Sequence, residues 1–173
     1  QRGGPSTGMP TKPEQSDLNL LVFGGHGDFP RIVLTPGNPE DCFYLTADAC
    51  NLAQRYQCPV FIASDQALSQ NTATIDPLDL ERVVVDQGSR LSSEDVSKLD
   101  TYKRYEFTED GISPYTIPGT PDGMSLVTGN EHDEFGLVST DPVNRVRMMD
   151  KRQIKMKTML PDLPRAGRFG DLE

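Results

Sequence analysis

The stretch from residue 31 to residue 63 constrains the fold most, because two short apolar runs flank one long amphipathic segment. Residues 31–35 and 59–63 are rich in β-branched and aromatic side chains and adjoin prolines, which predicts two buried strands. Residues 38–57 lie between them. Apolar strands joined through a helix predict a right-handed βαβ unit in a parallel sheet. The predicted fold class is α/β, with a partial parallel sheet flanked by helices.

The predicted helix at 38–57 has clear start signals and one apolar face. Asn38 suits the N-cap, Pro39 suits the first helical position, and Glu40 and Asp41 add negative charge to the first turn. The apolar stripe consists of Cys42, Leu45, Ala49, Leu52, Ala53 and Tyr56. We expect this stripe to pack on the sheet.

A last helix is predicted to begin at Asp141 and Pro142 and to end near Met159. Its basic side chains are Arg145, Arg147, Lys151, Arg152, Lys155 and Lys157, and its apolar side chains are Val146, Met149 and Ile154. A charge run of this kind is typical of a solvated face, although it could also dock on acidic neighbours. We expect the apolar side chains to be the buried ones.

Residues 71–123 contain few apolar side chains and many turn-forming residues, which predicts a long irregular excursion. Within it we expect a short strand at 82–86, a brief helix beginning at 92–95 and an extended piece at 105–108. Its aromatic side chains are Tyr102, Tyr105, Phe107 and Tyr115. They could anchor the excursion to a second subunit. Packing on their own domain is the slightly favoured alternative.

Charge and hydropathy exclude several classes of function. The chain has 173 residues and a formal net charge of −9, which argues against nucleic acid as the main partner. No stretch approaches the roughly 20 apolar residues of a membrane span, and no signal segment is evident. We expect a soluble, cytoplasmic protein. Cys42, Cys50 and Cys58 lack metal-ligand spacing, so we expect buried, unreactive thiols.

The first eleven residues form a Gly/Pro-rich segment that fits neither a helix nor a strand. Glycine widens and proline narrows the range of backbone angles, so a loop of defined shape is expected. Arg2 adds a planar cation, while Ser6, Thr7 and Thr11 add hydroxyls. Such a loop could bind an anion with exposed backbone N–H groups and lead into a helix. An irregular terminal arm is the equal alternative.

Three other polar positions are candidate site residues. His26 follows a short helix predicted within residues 14–23 and could bind a substrate carboxylate or a diphosphate, or could form structural hydrogen bonds. Asp65 follows the second strand, where α/β sheets place ligands, although capping a helix is the commoner role. The acidic residues at 129–134 around His132 could hold a cation, but a solvated turn is favoured.

The ordered series of segments at 2–12, 14–18 and 24–28 resembles the α subunits of the 2-oxoacid:ferredoxin oxidoreductases, particularly the 2-oxoglutarate:ferredoxin branch. The resemblance continues through 32–36, 41–43, 59–60, 64–65 and 127–134. It implies a thiamine-diphosphate-binding fold of the pyrimidine-side type. It also implies oxidative decarboxylation of a 2-oxoacid to an acyl-CoA, with electrons passing to ferredoxin.

The resemblance also implies roles for particular residues. Arg2 matches the family arginine that binds the substrate carboxylate, and Thr11 matches a threonine of substrate recognition. Ser6 and Thr7 shape the pocket wall, and His26 is a further substrate-binding candidate. No catalytic or metal-binding residue is predicted within the chain.

Cofactors and partners follow from the same resemblance. Thiamine diphosphate, magnesium and a 4Fe-4S cluster are expected in the complete complex, held mostly by a β subunit and not by this chain alone. Ferredoxin, coenzyme A and a 2-oxoacid are the other expected partners, with no nucleic acid and no membrane. A pyruvate or branched-chain 2-oxoacid enzyme, or a non-catalytic anion-binding module, remains an alternative.

The sequence begins at Gln1 inside the loop, and we expect a piece of a longer polypeptide that is inactive alone. Residues 1–140 are assigned to the C-terminal portion of a pyrimidine-binding-type domain. Residues 141–160 form the last helix, and 161–173 form a linker.

Overall fold

The structure is a computed structural model that describes residues 1–167. Its centre is a two-stranded parallel sheet of β1 (Ile32–Leu34) and β2 (Val60–Ile62). Ile32 pairs with Val60, and Leu34 pairs with Ile62. The helices in chain order are α1 (Asp17–Phe23), α2 (Pro39–Tyr56), α3 (Gln66–Gln70), α4 (Ser93–Ser97) and α5 (Pro142–Met159). Short 3-10 turns occur at Leu80–Arg82 and Leu160–Asp162.

The βαβ unit is confirmed, and local signals explain its boundaries. Asn38 caps α2 by accepting a hydrogen bond from the Asp41 N–H at 2.8 Å, and Pro39 occupies the first position. α2 ends where Gln57 adopts a left-handed conformation with φ of 49°. The buried core contains Ile32, Leu34, Ala49, Leu52, Tyr56, Ile112 and Met159. Half of the predicted α2 stripe, Ala49, Leu52 and Tyr56, is therefore fully buried.

The buried face of α5 differs from the prediction. Met148, Lys151 and Met159 are buried, whereas Val146 is 60% exposed. The excursion explains the difference, because Lys151 Nζ donates to the Tyr105 carbonyl at 2.8 Å. Gly111 also lies so close to α5 that an added Cβ would be 2.5 Å from the Lys151 carbonyl oxygen. The basic residues thus do not form a wholly solvated face.

Residues 71–123 are mostly irregular, as predicted, and α4 is the expected brief helix. Its Ser92 and Asp95 form a reciprocal capping box. The predicted strand at 82–86 was wrong, because these residues cross α2 instead of pairing with a strand. The Asn51 side chain donates to the Val84 carbonyl at 2.7 Å and accepts from the Asp86 N–H at 2.8 Å. Residues 105–108, expected to be an extended piece, form no strand and lie in a turn and irregular structure.

The aromatic side chains of the excursion pack within the chain, which agrees with the favoured alternative. The Arg147 guanidinium lies over the Phe107 ring, 3.9 Å from the ring centroid. The Tyr105 and His132 rings pack together with 4.0 Å between their centroids. The cysteine prediction was wrong in part. Cys50 is exposed, Cys42 and Cys58 are half-buried, and all three thiols are free.

Candidate functional site

The opening loop is a closed structure held by its own backbone. Gly3 donates its N–H to the Lys12 carbonyl at 2.9 Å, and Met9 donates to the Gly3 carbonyl at 2.8 Å. A second turn forms where Gly8 donates to the Pro5 carbonyl at 3.0 Å. These bonds bring the two arms of the loop together and leave its tip, including Ser6 and Thr7, exposed.

The loop is joined to the carboxyl edge of the parallel sheet. The Gln1 carbonyl accepts from the Gln66 N–H at 3.0 Å, and the Gln1 side chain donates to the Ala63 carbonyl at 3.2 Å. Both partners lie just beyond the end of β2. Open α/β sheets bind ligands at this edge. The loop therefore occupies the part of the fold where a substrate site is expected.

Arg2 lies between two fixed points of this structure. The Gln1 carbonyl before it is bonded to Gln66, and the Gly3 N–H after it is bonded to Lys12. The side chain itself is exposed, and it forms no ion pair within residues 1–167. A guanidinium that projects from an anchored backbone is suited to bidentate binding of a carboxylate.

A cavity of about 590 Å³ adjoins the loop at the same edge of the sheet. Thr11 and Lys12 line one side, and Gly37, which follows β1, lines another. Asp65 also lines it, but its carboxylate caps α3 by accepting from the Leu68 N–H at 2.7 Å. The capping role favoured for Asp65 is confirmed.

His26 lies apart from the loop in the contacts of the described residues. It is exposed in the turn after α1, between Gly25 and Gly27, which have φ of 112° and 77°. Arg31, which precedes β1, holds the end of α1 and the start of this turn, because its guanidinium donates to the Leu21 carbonyl at 3.2 Å and to the Gly24 carbonyl. No hydrogen bond within residues 1–167 joins His26 to the loop, so its role in substrate binding stays a prediction.

Glu14 is a residue of the site that the sequence reasoning missed. Its carboxylate accepts a hydrogen bond from the Gly4 N–H at 3.0 Å. An acidic side chain shortly after a glycine-rich loop is the sequence signal that was available. Spacing alone did not identify its partner, because the contact depends on how the loop folds back.

The acidic cluster at 129–134 forms structural contacts, in agreement with the favoured turn. Glu131 forms ion pairs with Arg145 and with Arg152, the latter at 2.9 Å. Burial of Glu131 favours its neutral form, but hydrogen bonds from Arg152 and Arg145 outweigh that effect and lower its pKa to about 2. Asp133 accepts from the Phe135 and Leu137 N–H groups at 2.9 and 3.0 Å.

Comparison with known proteins identifies the family. A family model described as pyruvate flavodoxin/ferredoxin oxidoreductase, thiamine diphosphate-binding, matches residues 1–151. The chain belongs to this family. The α subunit of 2-oxoacid:ferredoxin oxidoreductase 1 from Sulfurisphaera tokodaii is 42% identical over 99% of the chain. The 2-oxoglutarate oxidoreductase subunit KorA of Mycobacterium tuberculosis is 32% identical over the whole chain, at 100% coverage.

A solved structure supports the same assignment and confirms the fold class. It is the 2-oxoglutarate:ferredoxin oxidoreductase from Magnetococcus marinus with 2-oxoglutarate, coenzyme A and succinyl-CoA bound. The similarity has a TM-score of 0.88 and 44% identity over 99% of this chain and 30% of that one. The chain spans only 27% and 26% of the two curated relatives. The resemblance inferred from the sequence is confirmed.

Residues 1–167 contain no group of three or more His, Cys, Asp or Glu side chains that could hold a metal ion. The N–H groups of Gly3, Gly4, Gly8 and Met9 are already donated within the loop or to Glu14. Exposed side chains remain for ligand binding, as do the N–H groups of Ser6, Thr7 and Thr11, which have no acceptor within residues 1–167. In the same described residues, no helix is long and apolar enough to cross a membrane.

Proposed function

We propose that this chain is part of the α subunit of a 2-oxoacid:ferredoxin oxidoreductase and supplies the loop that binds the substrate carboxylate. The exposed Arg2 side chain, on a backbone anchored at Gln1 and Gly3, is the observation that supports this role. The reaction is oxidative decarboxylation to an acyl-CoA with electron transfer to ferredoxin. The proposed substrate is 2-oxoglutarate, which the names of one curated relative and one solved structure contain.

Within this proposal the exposed side chains of the loop share the recognition of the substrate. Arg2 donates two parallel hydrogen bonds to a carboxylate, which is the geometry that guanidinium provides best. Thr11 contributes a hydroxyl from the cavity wall, and Ser6 and Thr7 contribute hydroxyls from the loop tip. His26 is proposed as a more distant contact that becomes part of the site in the assembled enzyme.

The proposal includes partners that complete the site. Thiamine diphosphate supplies the electron-accepting chemistry of the reaction when bound. We assign its magnesium ion and a 4Fe-4S cluster to a β subunit. Residues 71–85 are proposed to face another subunit, since Leu80, Val84 and Val85 are 69%, 69% and 79% exposed. Protection of this segment from hydrogen exchange on assembly would support that assignment.

The test uses the assembled oxidoreductase with Arg2→Ala and Arg2→Lys in the complete α subunit. A charge-assisted hydrogen bond contributes about 1.5–3 kcal/mol, so Arg2→Ala should lower kcat/KM for 2-oxoglutarate by about 10-fold to 100-fold. Arg2→Lys should recover only part of this loss, because an ammonium cannot form the bidentate contact. Arg90→Ala is the matched control, since Arg90 donates to nearby Gln87 on the surface at 2.9 Å.

A comparison of pyruvate with 2-oxoglutarate identifies which carboxylate Arg2 contacts, because pyruvate lacks the distal carboxylate. If Arg2 binds the carboxylate next to the oxo group, pyruvate and 2-oxoglutarate lose kcat/KM equally. If it binds the distal carboxylate, only 2-oxoglutarate is affected. Unchanged kinetics for both substrates in Arg2→Ala would refute the substrate-binding role. The 173-residue chain alone is expected to show no 2-oxoacid oxidation, and turnover by the purified chain would contradict that expectation.

A further inference from the structure

We propose that Glu14 is a positioning residue that holds the opening loop in the shape required for substrate binding. The inference rests on the proposed carboxylate-binding function of Arg2. Glu14 is exposed and contacts the loop through one hydrogen bond, from the Gly4 N–H to Oε2 at 3.0 Å. It is the only side chain in residues 1–167 that hydrogen-bonds to the backbone of residues 2–12.

Gly4 is the residue at which this contact has the greatest effect on the loop. Its N–H faces Glu14, and its carbonyl faces Gly8, where an added Cβ would be only 2.7 Å from the carbonyl oxygen. The next residue, Pro5, has no N–H to donate, and Ser6 adopts a left-handed φ of 56°. This turn therefore depends on few hydrogen bonds, and Glu14 supplies one of them.

The contact is transmitted to Arg2 through a single residue. Gly3 lies between Arg2 and Gly4, and its N–H and carbonyl are both bonded across the loop, to Lys12 and Met9. Movement of Gly4 would strain these two bonds and shift the backbone from which the Arg2 side chain projects. Displacement of a binding group by a fraction of an ångström weakens recognition without removing the group.

Two different actions of Glu14 predict different results. If it acts as a hydrogen-bond acceptor at a fixed distance, Glu14→Gln retains an acceptor oxygen and Glu14→Asp is too short by one methylene. If it acts through its negative charge, Glu14→Asp retains the function and Glu14→Gln loses it. The proposed action of Glu14 is that of a hydrogen-bond acceptor at its observed distance of 3.0 Å from the Gly4 nitrogen.

The experiment measures KM and kcat for 2-oxoglutarate in the assembled oxidoreductase carrying Glu14→Ala, Glu14→Gln or Glu14→Asp. Loss of a hydrogen bond of about 1 kcal/mol corresponds to an increase in KM of about fivefold. We expect this increase for Glu14→Ala and Glu14→Asp, near-normal KM for Glu14→Gln, and kcat within about twofold of wild type. KM for coenzyme A should not change. Hydrogen exchange of residues 1–13 should become faster in Glu14→Ala.

The outcomes separate this inference from the proposed function. If Arg2→Ala raises KM but Glu14→Ala changes neither KM nor hydrogen exchange, the positioning role is refuted and the substrate-binding role stands. If Glu14→Ala accelerates exchange while Arg2→Ala leaves KM unchanged, the proposed function fails although the loop contact is real. Normal kinetics in Glu14→Asp with a raised KM in Glu14→Gln would also overturn the inference, because charge would then be the cause.

Discussion

Replacing Lys151 by methionine should change how the stability of the protein depends on pH. Lys151 is 9% exposed, and its Nζ donates to the Tyr105 carbonyl at 2.8 Å and to the Ser113 hydroxyl. Burial lowers the pKa of Lys151 to about 7, and the nearby charges of Lys155 and Arg104 act in the same direction. The Glu134 carboxylate opposes these effects only in part.

The direction in which stability changes with pH follows from the number of protons that the folded and unfolded states bind. In the unfolded chain the pKa of Lys151 returns toward 10.5, so the unfolded state binds more protons between about pH 7 and about pH 10.5. The free energy of unfolding of the wild type therefore rises with pH in this range, by as much as about 1.4 kcal/mol per pH unit from this group. Below about pH 7 the cost of burying the charge is fully present.

The measurement compares Lys151→Met with wild type by chemical denaturation at several pH values. Relative to wild type, the variant should lose about 3 kcal/mol of unfolding free energy between about pH 7 and about pH 9.5. Its stability at any single pH is less informative, because the Tyr105 carbonyl and the Ser113 hydroxyl also lose a partner. The control is Lys157→Met, an exposed lysine of the same helix, for which the difference should stay constant. If the difference in unfolding free energy between Lys151→Met and wild type also stayed constant with pH, the reasoning would be refuted, since Lys151 would then keep its proton when buried.

Two further changes test the loop and the acidic cluster. Gly8→Ala places a Cβ 2.7 Å from the Gly4 oxygen, so the loop must shift, and KM for the 2-oxoacid in the assembled enzyme should rise about tenfold. The control Gly129→Ala, where an added Cβ has no neighbour within 4 Å, should have no effect on KM. A normal KM for Gly8→Ala would contradict this prediction and show that the loop tolerates displacement. Glu131→Gln should lower the free energy of unfolding by about 1–2 kcal/mol at neutral pH, after allowance for the exposure of Arg145. Because the pKa of Glu131 is lowered from 4.5 to about 2, this loss should shrink as pH falls through that interval. Denaturation at about pH 7 and about pH 3 checks it, with exposed Asp150→Asn as the control, and an equal loss at both pH values would contradict the ion-pair explanation.

The elements that could be predicted from the sequence are those that local signals define. The N-cap at Asn38, the proline after it and the two β-branched runs determine α2 and its flanking strands without information from elsewhere in the chain. The side-chain chemistry of Arg2 and Thr11 beside a glycine-rich loop likewise made them candidates, and their substrate-binding roles stay predictions. The ordered motifs then identified the family.

The features that could not be predicted depend on contacts between distant segments. The periodicity of α5 indicated Val146 as a buried residue, but the excursion covers the opposite side and buries Lys151 instead. Gly111 gave a partial signal, since a residue without a Cβ permits the close approach that the structure contains. The run at 82–86 has strand composition, but it pairs with no strand in residues 1–167. The amide of Asn51 instead bonds to the Val84 carbonyl and the Asp86 N–H.

The opening loop also favours one type of ligand over another. A phosphate is commonly held by several convergent backbone N–H groups, yet the N–H groups of Gly3, Gly4, Gly8 and Met9 are already donated within the described chain. α1 begins only at Asp17, after the loop has closed, so its N-terminus does not continue the loop directly. The N–H groups of Ser6, Thr7 and Thr11 have no acceptor within residues 1–167, and the guanidinium of Arg2 is exposed beside them. The bidentate geometry of the Arg2 guanidinium, and not a lack of free backbone donors, is the feature that favours a carboxylate in the proposed function.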